Sequence, residues 1–213
     1  MLDCVNPDVV IGTESWLNND IVNFSVFPTD HYNIYRRDRG SRGGGVFIMV
    51  KNTILSTREE DLETNCEIVW CKINIQRSKT LFVGAYYRPH ENDEDSTIQL
   101  ESSLRRLHNS SSHIVLGGDF NAPGWDWANA KLKETCRVPQ LYNTLIGTLD
   151  DCGLQQMVEF PTRGKNTLDL ICTNAPGKIG NIDSLPGISD HNIVSCTMSI
   201  MPQRRVQKPR WIS

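Results

Sequence analysis

The stretch His113-Ile114-Val115-Leu116-Gly117-Gly118-Asp119-Phe120-Asn121 constrains the fold more than any other part of the chain. Its apolar first half suits a buried strand. Two glycines then give the backbone unusual freedom immediately before an Asp-Phe-Asn step. In extended chain, residues two apart point the same way, so Asp119 and Asn121 are expected on one face with Phe120 on the other. A carboxylate beside an amide can polarise a water and hold a phosphoryl oxygen. Asp-x-Asn is also an ordinary turn sequence, so the choice between the two readings rests on what the fold sets beside it.

The remaining strand-like runs end in the same manner. Val9, Val10 and Ile11 read as a buried strand that gives out at Glu14. That carboxylate is either solvated or a ligand for a hard cation. Residues 68–75 alternate with period two along Val69, Cys71, Ile73 and Ile75, which predicts a strand with one buried face. Residues 81–87 predict another, ending at Tyr87 before Arg88-Pro89; alone, Tyr87 reads as a core tyrosine with its hydroxyl at the rim. Two further strands are expected over 154–160 and 167–173. Asp169 lies inside the second, where an acid is rare and costly to bury alone, so it needs a partner. His191, in Ser189-Asp190-His191-Asn192 ahead of a last strand over 193–200, is the natural one.

Two helices are expected. One carries Leu100, Leu104 and Leu107 at i, i+4, i+7; the other is opened by Pro139, with Leu141, Leu145 and Leu149 on one face and Gly153 as its cap. Arg36, Arg37, Arg39 and Arg42 stand between two strands and lead into Gly43-Gly44-Gly45. They form either a solvated hairpin tip or a grip on a phosphate backbone. The glycines are no nucleotide-binding fingerprint, because neither Gly-Lys-Ser/Thr nor a helix follows.

Composition narrows the class. The 213 residues, 38% hydrophobic and 22% charged, suffice for one large domain and exclude a disordered chain. With no long apolar run and no signal-peptide pattern, a soluble intracellular protein is expected. Seven scattered cysteines without a Cys-x-x-Cys pair point to free thiols rather than disulfides or zinc. A net charge of −3 neither announces nor excludes a nucleic-acid partner, since phosphate contacts need only a local basic patch.

Strands interrupted by two helices predict an α/β sandwich in which sheets pack face to face under a cover of helices. If the polar strand ends gather at one edge, the set is Glu14, Tyr87, Asp119, Asn121, Asp169, Asp190 and His191. It holds no serine nucleophile elbow and no Cys-His pattern. It does hold a hard-cation ligand, a carboxylate for water, an amide and a phenol for oxyanion contact, and a carboxylate-oriented imidazole. That inventory fits metal-assisted hydrolysis of a phosphate ester.

The ordered series Thr-Glu-Ser-Trp-Leu from Thr13, Gly-Gly-Gly-Val from Gly43, Tyr-Arg-Pro from Tyr87, Gly-Gly-Asp-Phe-Asn-Ala from Gly117, Asn-Thr-Leu-Asp-Leu-Ile from Asn166 and Ser-Asp-His-Asn from Ser189 resembles the endonuclease/exonuclease/phosphatase superfamily. It is most similar to the endonuclease domains of non-LTR retrotransposon polyproteins. The resemblance implies a DNase I-like fold, a four-layer sandwich of two mixed β-sheets flanked by helices, over residues 1–200. The family's first strand and its metal-site Asn have no match, and residues 201–213 read as a basic tail. It further implies that Glu14 and Asp190 lie at a magnesium site, with manganese as the alternative ion. Asp119 matches the aspartate that activates the attacking water or assists the leaving oxygen. Tyr87, in preference to Tyr86, and Asn121 match groups on the scissile phosphate, and Asp169 matches the residue that orients His191. The implied activity is magnesium-dependent nicking of double-stranded DNA for retrotransposition, beside a reverse transcriptase domain in the intact polyprotein and at a nuclear site. Arg36, Arg37, Arg39 and Arg42 are the candidates for DNA-backbone contacts. An abasic-site nuclease or phosphoesterase of the same fold, and an inactive fragment that only binds, are the alternatives. Target specificity is expected in loops such as residues 174–186.

Overall fold

The chain alternates short apolar runs with Gly-, Pro- and Asn-rich breaks, and most of these runs become strands. The structure, a computed structural model, describes residues 5–77, 79–107, 111–187 and 189–205. In chain order the elements are β1 (Val9–Thr13), β2 (Tyr32–Arg37), β3 (Val46–Lys51), β4 (Ser56–Arg58), β5 (Glu67–Ile73), β6 (Leu81–Tyr87), α1 (Glu94–Leu107), β7 (His113–Asp119), β8 (Trp125–Asp126), β9 (Lys131–Leu132), α2 (Pro139–Asp151), β10 (Gln155–Gln156), β11 (Asp169–Thr173), β12 (Ile179–Leu185) and β13 (Ile193–Met198).

The helices begin and end where their sequences require. Asp93 accepts a hydrogen bond from the Ser96 amide at 2.9 Å and so caps α1, which has acids in its first turn and Arg105 and Arg106 in its last. Pro139 opens α2. The helix closes over Gly153, whose φ of 64° lets the Leu154 amide turn back to the Leu149 carbonyl.

The main sheet has the order β10-β11-β7-β6-β5-β4, and α1 carries the chain across its single parallel pair, β6–β7. A smaller antiparallel sheet, β1-β3-β2, and the β12–β13 hairpin complete the architecture. One face of the main sheet buries Ile68, Trp70, Tyr86 and Leu116 against Leu100, Leu104 and Leu107 of α1 and Tyr142, Leu145 and Leu149 of α2. The other face buries Val69, Cys71, Ile73, Val83 and Ala85 against Val46, Ile48 and Val50 of β3, with Val9, Ile11, Met198 and Ile200 at the margin. The α/β sandwich expected from the sequence is therefore present, and both helices cover the same side of it.

Several local expectations are corrected. β5 is buried on both faces, because helices lie on one side of it and β3 on the other. In α2, Tyr142 takes the core position in place of Leu141. The strand expected over 154–160 shrinks to β10, since the Val158 amide turns to the Gln156 side chain and leaves the ladder. Residues 174–186, expected as a loop, contain β12, whose pairing with β13 survives a register shift between Gly180 and Asp183. Residues 201–205, expected to be tail, are tied to the body by bridges from Pro202 to Ile75 and from Arg204 to Ile54. Residues 206–213 of the expected tail lie outside the described residues. Among the described residues no helix is long and apolar enough to cross a membrane.

Candidate active site

Strand register builds the site. Tyr87 on β6 is paired with Asp119 on β7, and Asp119 with Asp169 on β11, so three neighbouring strands set three polar side chains in one row. β6 and β7 end at this edge and β11 begins there. Gly118 makes the row's geometry attainable. It has a φ of 136°, and a Cβ there would stand 2.0 Å from the Tyr86 carbonyl oxygen. Glu14 reaches the same edge from the smaller sheet, directly after β1.

The side chains interlock. The Tyr87 hydroxyl donates to Glu14 Oε1 at 2.8 Å, and the Trp16 indole N–H donates to Glu14 Oε2 at 3.3 Å. Asp119 is 2% exposed; its Oδ1 accepts the Asn121 amide N–H at 2.9 Å. His191 Nδ1 lies 2.8 Å from Asp169 Oδ2, so a proton on Nδ1 leaves Nε2 as the free nitrogen of the ring. Ligand atoms of Asp119, Asp169 and His191 all lie within 4.8 Å of one another, close enough to hold a metal ion.

Charge is unbalanced here. Burial, then the neighbouring Asp169 carboxylate and more weakly Glu14, push the Asp119 carboxyl up to about 7, against the pull of the Asn121 amide and His191. Burial and the Glu14 carboxylate likewise raise the Tyr87 phenol. Three carboxylates thus converge where a cation would relieve them, and their oxygen donors suit a hard divalent ion.

Tyr86, the alternative to Tyr87, and the remaining expected site residues Asn121 and Asp190 lie outside this row. Tyr86 faces the core, with its hydroxyl 2.8 Å from Ser96 Oγ and its ring 5.0 Å from that of Phe120. Asn121 adopts a left-handed φ of 44°, and its side-chain N–H groups point inward, to the Arg88 carbonyl at 2.8 Å and to the Pro89 carbonyl and Asp119 Oδ2 at 3.4 Å. It staples two strand ends together in place of presenting both donors outward. Asp190 is well exposed and pairs with Arg163 at 2.6 Å, outside the Asp119-Asp169-His191 group.

Three of the four arginines expected to contact DNA are engaged within the chain. Arg36 donates to the Asn18 and Ile21 carbonyls and pairs with Asp38; Arg37 donates to the Thr64 carbonyl. Arg39 donates to Glu67 Oε1 at 2.6 Å while lying 5.5 Å over the Tyr87 ring. Arg42 alone is exposed, 5.9 Å over the ring of Trp16.

Two positioning residues escaped sequence reasoning. Arg88 is fully buried; its Nε donates to the Phe120 carbonyl at 2.7 Å and its guanidinium to the Asn121 carbonyl at 3.1 Å, while its own amide bonds the Asp119 carbonyl at 2.9 Å. It grips every residue of the Asp-Phe-Asn step. The only sequence signal was a cation directly after seven strand residues, where burial has to be explained by acceptors. Thr162 takes the amides of Leu168 and Asp169 on its hydroxyl, both at 3.0 Å, and the Asn192 amide on its carbonyl at 2.7 Å. It thereby joins the Asp169 strand to the His191 loop, and nothing in its sequence surroundings marked it.

This geometry can be set beside known proteins. The family model described as endonuclease-reverse transcriptase matches residues 80–195, more than half of the chain and all of the site except Glu14. The chain belongs to this family. It is a member of the endonuclease/exonuclease/phosphatase superfamily, and its fold is DNase I-like. Among solved structures it is similar to the endonuclease domain of TRAS1, a telomere-specific non-LTR retrotransposon, at 15% identity and a TM-score of 0.68, covering 93% of this chain and 89% of that one. It is also similar to the APE2 catalytic domain of Xenopus laevis, at 14% identity and a TM-score of 0.67 over 97% and 88% of the two chains. The AP endonuclease of Archaeoglobus fulgidus gives 15% identity and 0.64 over 93% and 91%. No curated protein matches the sequence.

Proposed function

We propose that the chain is a divalent-metal-dependent endonuclease domain that nicks DNA by hydrolysing a phosphodiester. The observation that carries this reading is the row Tyr87-Asp119-Asp169 with His191 on one flank and Glu14 on the other. It combines an oriented imidazole with three carboxylates that form no ion pair with lysine or arginine among the described residues. Two structural neighbours were solved with DNA products, which favours DNA over a small phosphoester as the ligand.

Glu14 is the residue assigned to hold the ion, magnesium or manganese by its oxygen donors; Asp190 can join it on release from Arg163. Such an ion supplies Lewis acidity and neutralises charge on the phosphoryl group. The chain's own groups do the rest. Asp169 accepts the Nδ1–H of His191 and so aims the opposite nitrogen at the phosphoryl group; with the ring carrying both protons, Nε2–H donates to a nonbridging phosphoryl oxygen. Asp119 takes a proton from the attacking water as the new P–O bond forms. The P–O3′ bond breaks, its electron pair leaves with the 3′ oxygen, and that oxygen takes a proton from solvent water to become a 3′-hydroxyl. Tyr87 keeps Glu14 in place, and Arg88 and Thr162 hold the three elements in register. In the intact element the same polypeptide would carry a reverse transcriptase, primed by that hydroxyl at nuclear DNA.

Supercoiled-plasmid nicking with magnesium and with EDTA tests the reading. Conversion to open circles that needs both magnesium and His191, judged against His191→Ala, is the expected result. A folded protein that leaves plasmid, abasic DNA and a phosphomonoester untouched in magnesium or manganese overturns it.

A further inference from the structure

Resting on the nuclease reading above, we infer that Trp16, backed by Arg42, is a stacking platform for an unstacked DNA base beside the scissile phosphate. Trp16 is a large aromatic left 57% exposed, yet its backbone is anything but free. Both Glu14 and Trp16 adopt left-handed conformations, with φ of 51° and 56°. Non-glycine residues in this region carry a conformational cost that persists only where surrounding structure imposes it. Here the Ser15 and Trp16 amides are tied to the Gly45 and Gly44 carbonyls at 3.3 and 2.9 Å, next to three glycines that themselves have positive φ. The strain displays the indole at a set place.

That place is the site. The indole N–H reaches Glu14 Oε2, and Glu14 Oε1 receives the Tyr87 hydroxyl, so one carboxylate links the exposed ring to the polar row. Arg42 covers the ring from one side and makes no hydrogen bond or ion pair among the described residues, which leaves its guanidinium N–H groups for a phosphate. A base on the open side would complete a guanidinium-indole-base stack. Base-aromatic stacking tolerates any base, because each has a π-face, but that face is hidden in a regular duplex. The substrate this platform favours is therefore DNA that unstacks easily, as flexible pyrimidine-purine steps do. Phe24, more exposed still at 76%, has no link to the polar row and serves as the control for apolar surface in general.

The test compares wild type with Trp16→Leu, Trp16→Phe and Phe24→Ala, each first shown to melt like wild type. On supercoiled plasmid, Trp16→Leu is expected to raise KM about tenfold or more with kcat changed less than about threefold, and to redistribute the mapped nick sites. Trp16→Phe should restore both, and Phe24→Ala should change neither. A Trp16→Leu protein with wild-type KM and nick positions, or one whose defect Phe24→Ala reproduces, overturns the platform while leaving the nuclease intact. Should wild type fail to nick, the nuclease reading fails, and binding decides the platform by itself. In the His191→Ala background with magnesium, Trp16→Leu must weaken the Kd for a labelled single-stranded 20-mer about tenfold, and an equal Kd rejects the platform.

Discussion

The ends of β6, β7 and β11 and the connection between β2 and β3 are both crowded with charge, but they treat it in opposite ways. At the strand ends, Asp119 and Asp169 lie close together beside His191, and Glu14 adds its negative charge to Asp119 from farther off. In the connection, Arg36, Arg37 and Arg39 each meet an internal acceptor, and only Arg42 is left over. Charge that is answered from within the chain holds the scaffold. Charge left unanswered points to something the chain has yet to bind.

The sharpest way to break this contrast is at Asp119. Asp119→Asn is expected to lower magnesium-dependent nicking about a thousandfold while making the metal-free protein more stable. The native carboxyl titrates near 7 and the unfolded one near 4, so the native state binds its proton more tightly. The cost of ionising it is absent below about pH 4, grows between about pH 4 and 7, and levels off above that at on the order of 4 kcal/mol. Thermal melts in EDTA should show wild type losing stability from pH 5 to 8.5 and Asp119→Asn losing less. Magnesium should flatten the wild-type curve. Parallel curves for the two proteins would mean that the carboxylates are already neutralised from within.

Next in size is Arg88, the one fully buried arginine among the described residues. Arg88→Ala strands the Phe120 and Asn121 carbonyls in the interior, which should cost about 3 kcal/mol and about 10 °C in Tm. Arg88→Lys keeps the charge but can satisfy fewer acceptors, so an intermediate Tm and intermediate nicking are expected. Arg39 and Arg42 then separate scaffold from ligand contact. Arg39→Ala loses its bond to Glu67 and should destabilise by about 1–2 kcal/mol. Arg42→Ala should leave Tm unchanged and reduce the slope of log Kd against log salt by about one. A stability loss at Arg42, or an altered salt slope without one at Arg39, would reverse their assignments.

The legibility of the site follows the same physics. Tyr87 and Asp119 were readable because a strand ending in a polar residue is a one-dimensional signal, and Asp169 because an acid in an apolar run needs a partner; register then aligns the three without further information. The helices were readable because their apolar period and their caps are local. What could not be read is how a charge is answered. Arg36 and Arg37 find their partners in the Asn18, Ile21 and Thr64 carbonyls, and backbone carbonyls have no letter in a sequence. Thr162 was invisible for the same reason, since it acts through two amides and a carbonyl. β12 was missed because an edge hairpin with polar residues on both strands lacks the apolar alternation by which strands are recognised.

The smallest expected effect sharpens the comparison at its boundary. Asp190 is an acid beside the site whose charge is answered, by Arg163 at 2.6 Å, and both side chains stand largely in solvent. That contact holds the Asp190 carboxyl below the usual carboxylate range. A pair so exposed contributes little to folding, so Arg163→Ala should leave Tm where it is. What it should change is the demand for a cation. Freed from Arg163, Asp190 becomes a further oxygen donor next to His191, and the magnesium concentration for half-maximal nicking is expected to fall about threefold. Asp190→Asn should move it the other way or not at all, and the double variant should behave like Asp190→Asn alone. If Arg163→Ala instead raises the magnesium requirement, then Arg163 itself meets the phosphate, and the boundary between scaffold and site runs on the other side of this pair.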